Sequence, residues 1–230
     1  MKLYYDLHMH SALSPCADDA MTPANMVNMA ALCGLEIIAL SDHNSCRNCP
    51  AFLRHAEEAG LLAVPAMELT TSEEVHVLCL LPSLDAALAW NEEVYRALPD
   101  IPNREDIFGT QYYFDENDQI TGSEKRLLIS ATGIGIYDVA ERVRAYGGLA
   151  LPAHVDKDAF SLLSNLGLYD PGMGFHLVEV TRRASPDLLP GIPKIINSDA
   201  HRLEEMEDAV YSLQIEAKTP KAVIDALSKM

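Results

Sequence analysis

Basic residues are few in this sequence: 17 Lys and Arg stand against 34 Asp and Glu, a formal net charge of −17 at pH 7. A field of that sign repels phosphate backbones and anionic lipid surfaces, so binding to long nucleic acid or to a membrane is not expected. Aromatic residues make up only 7%, with a single Trp, and no basic groove interleaved with aromatics is visible, which disfavours a stacking platform for long single strands. No uninterrupted apolar run reaches 18 residues, and the start MKLYYDLHMHS turns polar by residue 6, so neither a spanning helix nor a secretory leader is predicted. Cysteine is scarce and odd in number: Cys16, Cys33, Cys46, Cys49 and Cys79 in a chain of 230 residues, too long to need disulfide staples. Reduced thiols and a cytoplasmic location are therefore expected. There is no GxGxxG after the first strand, no GxxxxGK[ST] anywhere and no internal repeat, so nucleotide-fold fingerprints give no support.

What is present is ordinary globular material, 49% hydrophobic and 22% charged, enough for one sizeable core. KLYYDL reads as a first strand, and TPANMVNMAALCG as a helix with Thr22 as N-cap, Pro23 in the first turn and Gly34 as its stop. Strands in EIIALSD, LLAVPAM, VHVLCLL, GLALPAH, FHLVEV, KIINS and AVYSLQI alternate with helices over PAFLRHAEEAG, SLDAALAWNEEVYRAL, IYDVAERVRAYGG, KDAFSLLSNLG and TPKAVIDAL. That rhythm predicts an α/β fold with a largely parallel sheet, either a closed barrel or an open doubly wound sheet. Residues 99–135 interrupt it with PDIPN, DENDQITG and ATGIG, a loop and hairpin suited to a lid or small insert.

The strands end in metal-ligating side chains. His8 and His10, two apart, share one face; Asp42 and His43 end the second strand, Glu68 the third, and His154 the GLALPA strand. Asp199 and His201 follow KIINS, while His76 sits inside VHVLCLL. A single such histidine is usually a hydrogen-bonded bystander, but the whole set points to metal at the C-terminal ends of strands. His55 reads as a solvated helical residue and His176 as a packed or supporting one. Asp18, in the loop SPCADDA, is balanced between loop solubility and a ligand, with Asp19 as competitor. Cys46 and Cys49 have C-x-x-C spacing without a second pair, so reduced thiols near a pocket are preferred to a zinc or redox site.

Taken in order, DLHMHS, SDHN, Glu68 after AVPAM, HVLCL, AH and SDAH resemble the successive motifs of the PHP domain superfamily, named for polymerases and histidinol phosphatases. The resemblance runs from about residue 4 to the end. It implies a distorted (β/α)7 TIM-like barrel, a single catalytic domain over residues 1–230, and hydrolysis of a phosphate ester. By motif, His8, His10, Glu68 and Asp199 resemble the ligands of one ion. Glu68 would bridge to a second that also takes His76 and His154, and Asp18, His43 and His201 resemble the ligands of a third. Val155 stands where relatives carry proline after AH, and SDHN where many have TDH. A donor set of imidazoles and carboxylates suits Mn, Zn or Fe better than Mg, and two or three such divalent ions would attract a phosphate dianion into an acidic chain. The expected chemistry is attack by an activated water, with a metal-bound water or His201 in a transient role as proton donor and Arg182 ahead of Lys157 and Arg183 as phosphate binder. The expected partner is a small phosphorylated substrate, a nucleotide or a short oligonucleotide. Histidinol phosphate, a short-oligonucleotide exonuclease and a non-catalytic, polymerase-associated module are the alternatives.

Overall fold

The computed structural model describes residues 1–230. In chain order the elements are β1 (Lys2–Asp6), α1 (Pro23–Leu32), β2 (Ile37–Leu40), α2 (Cys49–Glu58), β3 (Leu62–Thr70), β4 (His76–Leu80), α3 (Leu84–Ala97) and α4 (Glu105–Phe108). Then follow β5 (Gln111–Phe114), β6 (Ile120–Glu124), α5 (Ile136–Ala145), β7 (Leu149–Pro152), α6 (Leu162–Leu166), β8 (Val178–Glu179), β9 (Lys194–Ile195), β10 (Ser212–Gln214) and α7 (Pro220–Leu227). Helix starts fall where the sequence signals them: Thr22 and Thr219 accept from Asn25 and Ala222 N–H, and a proline occupies the first turn in both.

Six strands form one sheet in the order β10-β1-β2-β3-β4-β7, and β8 pairs with β9 beside it. The sheet curls into a partly closed barrel. Val155 N–H donates to Glu179 O at 2.9 Å, linking the chain after β7 to β8, and a parallel bridge joins Met9 to Ala200, linking the chain after β9 back to the first strand. Side chains alternate across this wall. Leu7, Ala39, Ala66, Leu78, Leu151 and Leu177 face inward and form the apolar interior, which Val223, Ile224 and Leu227 of α7 also enter. The opposite faces pack against the outer helices around Phe52, Trp90 and Val143.

The expectation of a largely parallel sheet needs correction. β1, β2 and β3 are parallel, but β4 is antiparallel to both β3 and β7, and β10 is antiparallel to β1. The cause lies in the link between β3 and β4: Thr71–Val75 is too short for a crossover helix, so the chain must turn straight back. Several elements are shorter than predicted. Only Leu162–Leu166 of KDAFSLLSNLG is helical, and FHLVEV and KIINS contribute two paired residues each. Residues 99–135 hold α4 and the antiparallel hairpin β5–β6. That segment is tied to the rest through Asn44 Nδ2, which donates to Leu128 O and Ser130 O at 2.6 and 2.9 Å, and Asn48 Nδ2, which donates to Tyr112 O at 3.0 Å. No helix is long and apolar enough to cross a membrane.

Candidate metal centre

The inward alternation that builds the apolar interior continues past the strand ends and changes chemistry there. His43 follows the inward parity of Ile37 and Ala39, Glu68 that of Val64 and Ala66, and Glu179 that of Leu177. His76 reaches the same level because β4 runs backwards: paired opposite Thr70, its first residue lies beside the last residues of β3. The other ring residues enter through local bends. Asp6 Oδ1 accepts from His8 N–H at 3.2 Å, and His154 and Asp199 adopt φ of +29° and +54°. Non-glycine residues avoid that region, and such strain persists where the surrounding structure holds it.

These side chains form a tight ring around Glu68, which is 1% exposed. Glu68 Oε1 lies 3.3 Å from His8 Nε2 and 3.0 Å from both His76 Nδ1 and His154 Nε2; Oε2 lies 3.3 Å from His10 Nε2 and 3.1 Å from His43 Nδ1. Asp199 Oδ1 stands 3.3 Å from His8 Nε2 and 3.2 Å from His10 Nε2. Two ligands of one ion with bonds of about 2.0–2.2 Å sit roughly 3 Å apart, so these separations match the edges of coordination polyhedra.

The network behind the ring fixes its protons. His8 Nδ1–H donates to both oxygens of Glu179 at 3.0 and 2.9 Å, since a carboxylate only accepts. Ser14 Oγ–H donates to Asp42 Oδ1 at 2.7 Å and so accepts from His10 Nδ1–H at 3.0 Å. Both neutral rings then present Nε2 lone pairs to each other at 3.1 Å, beside carboxylate oxygens, with no proton to share. Among the atoms that face the ring, His43 Nδ1 and Asp199 Oδ1 are buried without a hydrogen-bond partner. A buried polar atom left unpaired is costly, and a divalent cation resolves the arrangement. The residues therefore fit the metal ions that the motifs imply. Three clusters are poised to hold them: His8, His10, Glu68 and Asp199; His43, Glu68 and His76; and His10, His43 and His201.

Without metal, protons carry the compensating charge. Burial opposes a charge on His8 and His10, but the neighbouring carboxylates outweigh it, raising His8 well above its usual value and His10 to about 9. Burial would likewise raise Glu68 and Asp199, yet His76 and His8 above all hold the first, and His8 and His10 the second, well below the carboxylate range. His43 is pushed well down and His201 to about 4, in both cases mainly by burial.

Of the residues singled out by sequence, His8, His10, His43, Glu68, His76, His154 and Asp199 meet in the ring, and His201 stands at its rim with Nδ1–H donating to Asp199 O at 2.8 Å. His43 approaches Glu68 and His76 as well as His201, a different grouping from the one the motifs imply. Asp18 is exposed, takes part in none of the three clusters, and accepts at Oδ1 from Ala20 N–H at 2.8 Å. Arg182 is ion-paired with Glu207, with its guanidinium 5.5 Å from the Tyr211 ring. His176 is exposed rather than packed, and His55 is half-buried, 3.9 Å from Asp118. Cys46 and Cys49 are buried in the outer core, not beside a pocket. Sequence reading missed Glu179, which besides His8 accepts from His154 N–H at 3.0 Å and Asn197 Nδ2 at 2.7 Å. A lone acid inside the apolar FHLVEV was the available signal.

A cleft of about 890 Å³ opens beside the ring at His154, Glu179 and Asp199, with Lys157, Arg182 and Arg183 on its walls. Lys157 Nζ pairs with Asp199 Oδ2.

A curled barrel crowned by such a ring defines the metal-dependent hydrolase superfamily of PHP type. Residues 6–139, more than half of the chain, match the PHP domain, and the protein belongs to that family. Its fold is similar over 100% of the chain to 56% of the lesion-specific endonuclease PfuEndoQ of Pyrococcus furiosus, with a TM-score of 0.73 at 18% identity. A candidate metal-dependent phosphoesterase from Bifidobacterium adolescentis matches 86% of the chain and 87% of its own length, with a TM-score of 0.60 at 18% identity. The error-prone DNA polymerase of Symbiobacterium thermophilum is 35% identical over 77 residues. That stretch is 34% of this chain and 7% of the polymerase, so the chain corresponds to a small part of that relative's length.

Proposed function

We propose that residues 1–230 act as one catalytic domain, a metal-dependent phosphoesterase that hydrolyses a phosphate ester of a nucleotide or another small molecule. The observation that carries this reading is the approach of His8 Nε2 and His10 Nε2, 3.1 Å apart beside the carboxylates of Glu68 and Asp199. Divalent ions in such a ring supply Lewis acidity toward phosphoryl oxygens and make water nucleophilic at neutral pH.

The chain's own residues do the rest. Glu179 and Ser14 orient His8 and His10, so their Nε2 atoms stay aimed at one point. The cleft opens beside the ring past Lys157 and Arg183, and Arg183 forms no ion pair with a protein carboxylate. Arg183 is thus the guanidinium free to receive a phosphate oxygen, while Arg182 is engaged by Glu207. His201, at 23% side-chain exposure, is the ring imidazole within reach of solvent; held neutral mainly by burial and with Nδ1–H given to Asp199 O, it offers a lone pair to an ion or to water rather than a proton.

A short oligonucleotide is a second reading, supported by the open, cation-bearing cleft and by the fold likeness to a lesion-specific endonuclease. The test is release of phosphate by metal-stripped protein reloaded with Mn, Zn or Fe, assayed on nucleotides, short oligonucleotides, histidinol phosphate and sugar phosphates. Metal-dependent turnover on one class supports the proposal and selects the branch. No turnover on any class with metal bound would favour a binding module.

A further inference from the structure

Each first-strand imidazole of the ring is braced by a hydrogen bond on the nitrogen that faces away from Glu68, His8 by Glu179 and His10 by Ser14. His76 has no such brace. Its Nδ1 faces Glu68 Oε1 at 3.0 Å, while Nε2, on the far side of the imidazole, is buried without a hydrogen-bond partner. A metal-ligating histidine ordinarily gives its second nitrogen to a carboxylate, a carbonyl or water, which fixes the plane of the ring. The plane of His76 must be held by another contact.

That contact is Phe160. Its ring stacks on the imidazole with centroids 4.9 Å apart and planes 18° from parallel, within the range of attractive aromatic pairs. Its carbonyl accepts from His76 N–H at 2.9 Å, so backbone and side chain of one residue are both registered on the first residue of β4. The position is held against local preference. Phe160 has φ of +52°, a left-handed conformation that residues with a Cβ rarely adopt, and its side chain is 39% exposed beside the charged run Asp156, Lys157 and Asp158. Two hydrogen bonds tie the loop down: Ser161 Oγ–H donates to Lys157 O at 2.7 Å, and Ser164 Oγ–H to Asp158 O at 2.6 Å. Strain of this kind persists where the surroundings over-determine it, and it gathers at sites that clamp a ligand.

We infer that Phe160 is a positioning residue for the metal centre: its ring, stacked on His76, takes the place of the hydrogen-bonded brace and keeps the imidazole aimed at the cluster it forms with His43 and Glu68. Phe160 acts through His76 and supplies no ligand atom. An ion at that cluster then depends on a surface loop, whereas one at His8, His10, Glu68 and Asp199 depends on buried polar groups, so the protein releases the first more readily than the second.

The inference rests on the ring being a metal centre, and two readouts separate the claims. In the metal-free protein the ring current of Phe160 should shift the His76 ring protons upfield in the NMR spectrum. Phe160→Gly, which also relieves the left-handed backbone, should move them back while circular dichroism shows the fold intact. Titration with Co(II) against a chelator should then find one ion bound about 10–100-fold more weakly in Phe160→Gly and the others unchanged. Phe160→Tyr, which restores the stack, should recover that affinity; Phe160→Leu, which restores only apolar bulk, should not. In a His76→Ala background Phe160→Gly should add no further loss. Equal affinities in the wild type and Phe160→Gly, full recovery by Phe160→Leu, or losses that add in the double variant overturn the Phe160 assignment alone. A wild-type protein that shows the ring-current shift yet binds no cobalt overturns the metal centre, and this role with it.

Discussion

On the floor of the metal centre each first-strand imidazole is braced from behind by a buried group, His8 by Glu179 and His10 by Ser14, whereas on the rim His201 is held by a backbone carbonyl two residues away. Floor residues His8, His10 and Glu68 are at most 1% exposed, while Lys157 at the rim is 43% exposed on its side chain. The difference separates two tasks. The floor is preorganised by contacts between distant strands and tolerates little change, because a half-satisfied buried network costs more than none. The rim is made of loop residues with local or solvent-screened partners, so it can be altered with smaller penalties, and it faces the cleft.

That contrast can be broken most severely at Glu68. Replacing it with Gln keeps the shape but removes the charge shared by five imidazoles; bound metal measured by emission spectroscopy should fall below one ion per chain and hydrolysis below detection. Replacement of His76 by Ala, further round the same floor, should lose one metal equivalent and sharply reduce turnover; an unchanged metal count and rate would remove His76 from the ligand set. Glu179→Gln leaves the ring residues in place and weakens the brace behind His8 together with the contacts to His154 N–H and Asn197, so metal affinity should drop by roughly 10–100-fold with the fold intact by circular dichroism.

A gentler probe is pH. In the metal-free protein His10 titrates at about 9, above its unfolded value, so its proton-linked stabilisation is full below about 6.5 and is lost as pH rises through about 9. Metal needs the neutral ring, so apparent affinity should climb between pH 7 and 9, and uptake at pH 7 should release protons. Calorimetry in two buffers of different ionisation heat reads that release directly. The smallest effect belongs to the rim. Lys157→Ala breaks a half-exposed ion pair worth about 1 kcal/mol or less, so KM should rise less than about tenfold with kcat nearly unchanged. A larger loss there than at Glu179 would reverse the ordering of floor and rim.

Much of this centre was legible because strand alternation carries on into it: the parity that buries Ile37, Ala39, Val64 and Ala66 also aims His43 and Glu68. His-x-His, SDHN and SDAH announced their residues by type. What was not legible had specific causes. Period-two patterning carries no strand direction, so the reversal of β4 could not be read from VHVLCLL, though the shortness of Thr71–Val75 implied it. Strands β8 and β9 are too brief to show alternation, which hid Glu179 behind the more conspicuous His176. The orientation of Asp18 and the pairing of Arg182 with Glu207 depend on loop conformation and on contacts between residues far apart in sequence, about which residue type is silent.

The short link between β3 and β4 also divides the centre in time. Glu68 and His76 lie within one hairpin, and such neighbours meet on microsecond scales because closing a small loop costs little entropy. His8 and Glu179 are 171 residues apart, and their contact waits for nearly the whole chain to be collected. During synthesis Glu68 and His76 are thus paired long before SDAH has been made. Only the arrival of the last strands closes the ring around Glu68.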